Sequence, residues 1–475
     1  MDDLTLDDLI IRASSHTPFF GIYLASHAIL DAMCMCHASV GCKVKTQEHL
    51  VRHDGVQDAH NRRRYSQLID EDLIQGSTEQ LEDEIAAFAR RLHSQLVVID
   101  CSTPLSLQVQ PLQAVVERSR ARTGVDVVHV HARNYQDDLW GGYAATAATL
   151  FLRQFEKAAE QGPLPKPRAD EVSVLGLPFD RYEGDSTGNV AEVRRLLWGL
   201  GLKAKAVFFA GEPYATLSEA VHAGHHLALP WLKPALPALR TAGSRTVGTR
   251  TAGPLAAGPL AAGVTLVEPP GLPMGFAGTR QWLLQVARQT GADLRRAEAF
   301  ADAELQAAKP LAELARRSLQ GRRFAAFAEA PRLAGLVALL QELGMVPAVL
   351  GVSHFRLGGR REVEALLSGP LQQPLPQDVV WLEDPTPHAV AELAQVGPLD
   401  PLVDPRKQRP LAGAEVVLCS SVEAVQLLAW KGPLVEFGFP SENRHFLLPA
   451  PWLGFRGALR LAEQVLQALA EGQRR

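Results

Sequence analysis

Four of the chain's five cysteines fall in its first 101 residues, and three of these lie in Cys34-Met-Cys36-His37-Ala-Ser-Val-Gly41-Cys42. The fourth, Cys101, follows the apolar run Leu96-Val-Val-Ile-Asp100. A thiol at the end of a buried strand and another directly after a glycine are places from which a backbone can present sulfur to an iron–sulfur cluster. An odd number of cysteines in 475 residues does not read as a disulfide framework. Clustered thiols in a reducing compartment point instead to metal or redox chemistry. Cys419, after Val416-Val-Leu418, reads as a core residue at a strand end.

The elements that must position these thiols follow one repeating pattern. Short apolar, β-branched runs are each followed by a turn residue and a helical stretch. They occur at Leu96–Asp100, Val125–His131, Val172–Leu177, Ala206–Ala210, Val264–Glu268, Phe324–Ala328, Val346–Gly351, Val379–Leu382, Val416–Leu418 and Leu434–Phe437. Strand alternating with helix predicts an α/β chain of mostly parallel sheets flanked by helices. In such sheets ligands gather at the carboxyl ends of the strands, and Cys101 stands at one of them. Thr78–Leu92 reads as an amphipathic helix with Glu79 and Glu82 in its first turns, where they favour the helix dipole.

Breaks in composition suggest the domain plan. Gln161-Gly-Pro-Leu-Pro-Lys-Pro-Arg168 cannot continue a helix and reads as a linker. Residues 240–263 are a near-repeat of small residues without helical or strand period, and read as an expanded surface loop, with a functional lid as the alternative. The expected domains are 1–165, 169–300 and 320–455, with a helix at 456–473 that is a candidate to pack back on the first.

Composition narrows the function. With 48 Lys+Arg against 52 Asp+Glu the net charge is −4, so no global field draws the chain to nucleic acid or anionic lipid. The acidic start, Met1-Asp-Asp-Leu-Thr-Leu-Asp-Asp-Leu9, lacks the pattern of a signal peptide, and no run of eighteen apolar residues occurs; the expected location is the cytoplasm. Neither a phosphate loop nor Gly-x-Ser-x-Gly is found, so the chain is not expected to hydrolyse ATP itself. The adjacent carboxylates Glu383 and Asp384 point apart on an extended chain, and Arg62-Arg-Arg-Tyr65 reads as a solvated face or docking patch.

The order of these signals resembles the component 1 family of nitrogenase and its relatives, the reductases of protochlorophyllide, chlorophyllide and nickel-sirohydrochlorin and the scaffolds of nitrogenase cofactor assembly. His37-Ala-Ser-Val-Gly41-Cys42 is similar to the family's His-Gly-Pro-x-Gly-Cys segment, and Ile69–Leu81 to its acidic-then-glycine segment. Cys101 matches the cysteine after the next strand. Glu268–Thr279 resembles the glycine- and proline-rich passage into the later sheet, and Phe437–Pro440 with Pro451–Ala458 the C-terminal signature.

The resemblance implies three Rossmann-like domains and an iron–sulfur cluster, 4Fe–4S in type, shared with a second, homologous chain. Cys42 and Cys101 are its expected ligands. It also implies a transient partner, an ATP-dependent iron–sulfur reductase, and a small unsaturated substrate, with a tetrapyrrole the leading class. The chain departs from the family where a further cysteine precedes the glycine-cysteine: Ala13–Gly21 has none, and His16 reads either as the substitute donor there or as a structural histidine. Cys36, or Cys34 beside it, is the alternative third donor. The middle-domain stretch Gly224-His-His-Leu-Ala-Leu-Pro-Trp231 holds no cysteine, so no iron–molybdenum cofactor is expected; His225, His226 and His445 read as packing or surface histidines. A non-catalytic scaffold and a cluster-free binding module are the competing readings.

Overall fold

A computed structural model describes residues 17–39, 54, 62–102, 112–131, 137–242, 265–394 and 410–472. From residue 243 the low-complexity segment lies outside them. Among the described residues thirteen parallel strands form three sheets, so the chain is α/β as its alternation predicts. All ten β-branched runs overlap strands, while β1 (Ala32–His37), β2 (Arg63–Tyr65) and β7 (Ala223–Ala228) had no such signal.

The first sheet runs β2-β1-β3-β4, where β3 is Leu96–Cys101 and β4 Asp126–His129. From β1 the chain goes outward to β2 and then crosses to β3, so the sheet reverses direction between β1 and β3. Such a switch point opens a crevice at the strands' carboxyl ends. The second sheet runs β6-β5-β7-β8, with β5 Arg168–Leu175, β6 Lys203–Val207 and β8 Thr265–Val267. The third runs β11-β10-β9-β12-β13, with β9 Arg323–Glu329, β10 Val346–Ser353, β11 Val380–Glu383, β12 Val416–Cys419 and β13 Leu434–Glu436.

The described residues divide into two compact units. One holds the first two sheets, up to Val190 and again over Leu202–Glu268; the other comprises Ala191–Gly201 and the residues from Pro269 on, with the third sheet. The expected linker at 161–168 therefore falls within one unit. The closing helix Gly454–Gly472, offered by the sequence to residues 1–165, packs on the helices Phe276–Thr290 and Leu294–Leu319 and on β12 and β13 of its own unit. Its apolar stripe of Phe455, Leu461, Val465 and Leu469 is buried there.

In the first unit the helix Pro18–His27 is buried along its whole length. It covers one face of the first sheet and packs on the 23-residue helix Leu139–Gln161. Two glycines permit this. A Cβ on Gly21 would stand 1.8 Å from the Leu139 carbonyl oxygen, and one on Gly142 would stand 2.0 Å from that of Pro18. Backbones that approach so closely leave no room for a methyl group. On the opposite sheet face, Thr78–Arg91 buries Leu81, Ile85 and Ala89 against Met33, Met35, Val97 and Ile99.

Candidate functional site

Strand alternation divides the cysteines between the two faces of the first sheet. In register, Cys36 pairs with Asp100 and His37 with Cys101 across β1 and β3. Successive side chains on a strand point to opposite faces. Cys101, 5% exposed at the end of β3, belongs to the apolar cluster with Met33, Met35, Leu81 and Ile85. Cys34 and Cys36 point the other way, beneath the helix Pro18–His27, with their sulfurs 3.7 Å apart. The structure thus brings Cys36 together with Cys34 and Asp100, and not with Cys101. His16 and Cys42 lie outside the described residues.

His37, paired in register with Cys101, stands at the carboxyl end of β1. His37 is fully buried between two hydroxyls, its Nδ1 2.9 Å from Ser66 Oγ and its Nε2 2.8 Å from Ser77 Oγ. Burial lowers its pKa to about 4, so it is neutral at physiological pH. His129, ending β4, is likewise held down to about 4 by burial and by neighbouring His131. Burial and the adjacent Asp100 push the Cys101 thiol well up, so it gives up its proton only to a strong competitor such as a metal.

The chain leading to His16 and to Cys42 begins at this edge. Arg62, just before β2, hydrogen-bonds the Ile29 carbonyl and approaches His27, so the helix Pro18–His27 ends at the amino edge of the sheet. Its first residue and Thr17 are therefore at the carboxyl edge, one residue after His16. Cys42 lies five positions after His37, at most about 17 Å along a fully extended chain. Among the described residues, Cys101 is a buried soft donor at a switch point, the donor type a thiolate-held cluster takes.

Other candidates have structural explanations. The arginine run is not a solvated face: it forms β2, with Arg63 stacked over the Tyr23 ring at 4.2 Å and Arg64 over Phe88 at 4.8 Å. Alternation turns Arg63 into the sheet's covered face, where it is 4% exposed. His226 bonds Ser173 Oγ at 2.5 Å, packs edge-on to Phe151, and is held neutral by burial. His445 is exposed, and Cys419 is buried in the third sheet's core. Sequence reasoning missed Tyr23 and Asp100. The signal for Asp100 was available: a carboxylate inside the run Leu96–Cys101 is costly to bury without a purpose.

With this geometry established, the comparisons with known proteins decide the family. The sequence profile of the "Nitrogenase component 1 type Oxidoreductase" family matches residues 17–230 and 261–470. The chain belongs to this family. Its fold is similar to two solved structures titled "Nitrogenase Cp1 at pH 6.5" and "Nitrogenase Cp1 at pH 5". The first has a TM-score of 0.71 at 15% identity, covering 97% of this chain and 93% of that one; the second has 0.67 at 14%, covering 97% and 89%. Among curated proteins, it is 26% identical over 150 residues to one subunit of the light-independent protochlorophyllide reductase, in both Synechococcus sp. and Synechococcus elongatus. That match spans 32% of this chain and 29% of each relative. No helix among the described residues is long and apolar enough to cross a membrane.

Proposed function

We propose that this component 1-type chain is one subunit of a nitrogenase-like oxidoreductase, with an iron–sulfur cluster bound at the carboxyl edge of its first sheet and shared with a homologous chain. Cys42 and Cys101 are its thiolate ligands in this reading, and His16 supplies the donor that replaces the missing cysteine. When bound, the cluster supplies one-electron storage between an ATP-dependent iron–sulfur reductase and an unsaturated substrate.

The observation that carries the reading is Cys101 at the switch point, buried and paired in register with His37. The protein's own contribution is rigidity and dryness. Neutral His37 ties β1 to Ser66 and to Ser77, the residue before the helix Thr78–Arg91, so the strand end that leads to Cys42 is fixed on two sides. The apolar packing of Met33, Met35 and Leu81 beneath Cys101 keeps water from the sulfur and strengthens local electrostatics. The 150-residue likeness to a protochlorophyllide reductase subunit supports a tetrapyrrole as the substrate class.

A cofactor-assembly scaffold is the second reading, favoured by His16 standing where the family pattern carries a cysteine. Anaerobic purification, alone and with any co-encoded homologue, separates the readings through iron, acid-labile sulfide and reduced-state electron paramagnetic resonance. Cluster binding requires that Cys42→Ala and Cys101→Ala each abolish the iron. His16→Ala reports whether the histidine is a ligand. Iron absent from both preparations overturns the cluster readings. Iron without turnover when reductase and tetrapyrrole are supplied favours the scaffold.

A further inference from the structure

On the covered face of the first sheet, away from Cys101, four side chains from three elements converge. Cys34 and Cys36 come from β1, Asp100 from β3 and Tyr23 from the helix Pro18–His27. Their relative exposures are 2%, 0%, 0% and 2%. One ligand atom from each cysteine and from Asp100 lie within 4.8 Å of one another. The Tyr23 hydroxyl is buried without a hydrogen-bond partner and is electrostatically coupled to both thiols.

We infer that Cys34, Cys36 and Asp100, with the Tyr23 hydroxyl as fourth donor, form a binding site for one soft divalent metal ion of the zinc type, separate from the cluster edge. The sulfur spacing is the first argument. Two thiolates at about 2.3 Å from a tetrahedral metal stand about 3.8 Å apart, and these sulfurs are 3.7 Å apart without any ion. A disulfide would need about 2.05 Å between residues whose Cα atoms, two apart on a strand, are separated by about 6.6 Å, close to the limit such a bond spans.

Charge is the second argument. The Arg63 guanidinium, stacked on Tyr23 and in register with Cys34, brings a fixed positive charge to the same face. A divalent ion that displaces both thiol protons adds two positive charges and creates two negative ones, so the net charge of the buried site does not change. A monovalent ion would add one net negative charge to it, which is costly. Metal ligation requires the thiolate form of both cysteines, so binding couples to proton release. The bond balance is M²⁺ + 2 RSH giving M(SR)₂ + 2 H⁺. The ion would join β1, β3 and the helix Pro18–His27, whose opposite ends frame the switch-point edge.

The test uses the full chain, as isolated and after chelation under reducing, anaerobic conditions, with zinc analysis and cobalt(II) titration. Expected are one zinc per chain, or one cobalt equivalent with an intense near-ultraviolet thiolate-to-cobalt band that zinc abolishes. Affinity should fall about 100-fold per unit decrease in pH, as release of two protons requires. The band should vanish in Cys36→Ser and survive in Cys101→Ser, which removes the proposed cluster ligand. If Cys36→Ser does not fold, Cys34→Ser and Asp100→Asn, checked by circular dichroism, and the wild-type pH slope decide. No zinc and no cobalt band in the wild type, or a band kept by a folded Cys36→Ser chain and lost in Cys101→Ser, overturns the site. Iron content is read separately, so failure here leaves the cluster proposal standing, and the reverse holds.

Discussion

Gly21→Ala tests the packing that seats the covering helix. An alanine Cβ would lie 1.8 Å from the Leu139 carbonyl oxygen and 2.8 Å from the Tyr143 amide nitrogen. Ordinary C···O approach is about 3.3 Å, so the helices Pro18–His27 and Leu139–Gln161 must part by about 1.5 Å. Both obstacles are backbone atoms, which no side-chain rotation removes. Overpacking of this kind costs about 3 kcal/mol at the upper end of its range. The substitution recovers about 1 kcal/mol of helix propensity. The net is a loss of about 2 kcal/mol, which for a unit of this size is about 4–8 °C in Tm. Calorimetry of the full chain reads this as a downward shift of one transition. Gly142→Ala, whose Cβ would meet the Pro18 carbonyl oxygen at 2.0 Å, should act alike. The double variant should cost less than the sum, because the helices part only once. A Tm for Gly21→Ala equal to or above wild type, or strict additivity, would refute the close-approach argument.

Acid should destabilise the first unit through its buried histidines. His37 and His226 are neutral in the fold, with pKa lowered by burial to about 4 and about 3, against 6.5 for the exposed group. The unfolded chain binds these protons first, so their stability is full above pH 6.5 and is lost as pH falls toward 4. Replacing His37 by Asn should lessen the slope of unfolding free energy against pH by about 1.4 kcal/mol per unit in that window, and an unchanged slope in urea titrations would count against it. Asp126→Asn should cost about 3 kcal/mol. Burial alone would raise this carboxyl, but the Tyr214 hydroxyl at 2.6 Å, Arg153 at 3.0 Å and Lys157 at 3.4 Å hold it below the ordinary carboxylate range; in the variant the two cations would lose their counter-charge and Tyr214 its charged acceptor. A denaturation midpoint close to wild type would contradict that network.

Both proposals meet in one experiment. Iron and zinc analysis of Cys101→Ser and Cys36→Ser should give opposite losses, iron from the first and zinc from the second. Loss of both metals from a single folded variant would mean that the two faces of the sheet do not hold separate sites.

The sequence by itself determined the α/β class, ten of the strands and the helix Thr78–Arg91, because β-branched runs and amphipathic spacing are local signals. It also determined the family, through motifs spread along the chain, and it put Cys101 at a strand end. The tertiary structure decided what the remaining cysteines face. β1 reads Ala-Met-Cys-Met-Cys-His, with no β-branched residue, and β2 is Arg-Arg-Tyr. Both become strands by pairing with neighbours far along the chain, under a helix that lies where it does because Gly21 and Gly142 let backbones meet. Spacing in sequence made Cys34, Cys36 and Cys101 look like one group of thiols. The register of β1 against β3 separates them, since a period of two sends Cys36 and Asp100 to one face and Cys101 to the other, and no local pattern fixes that register.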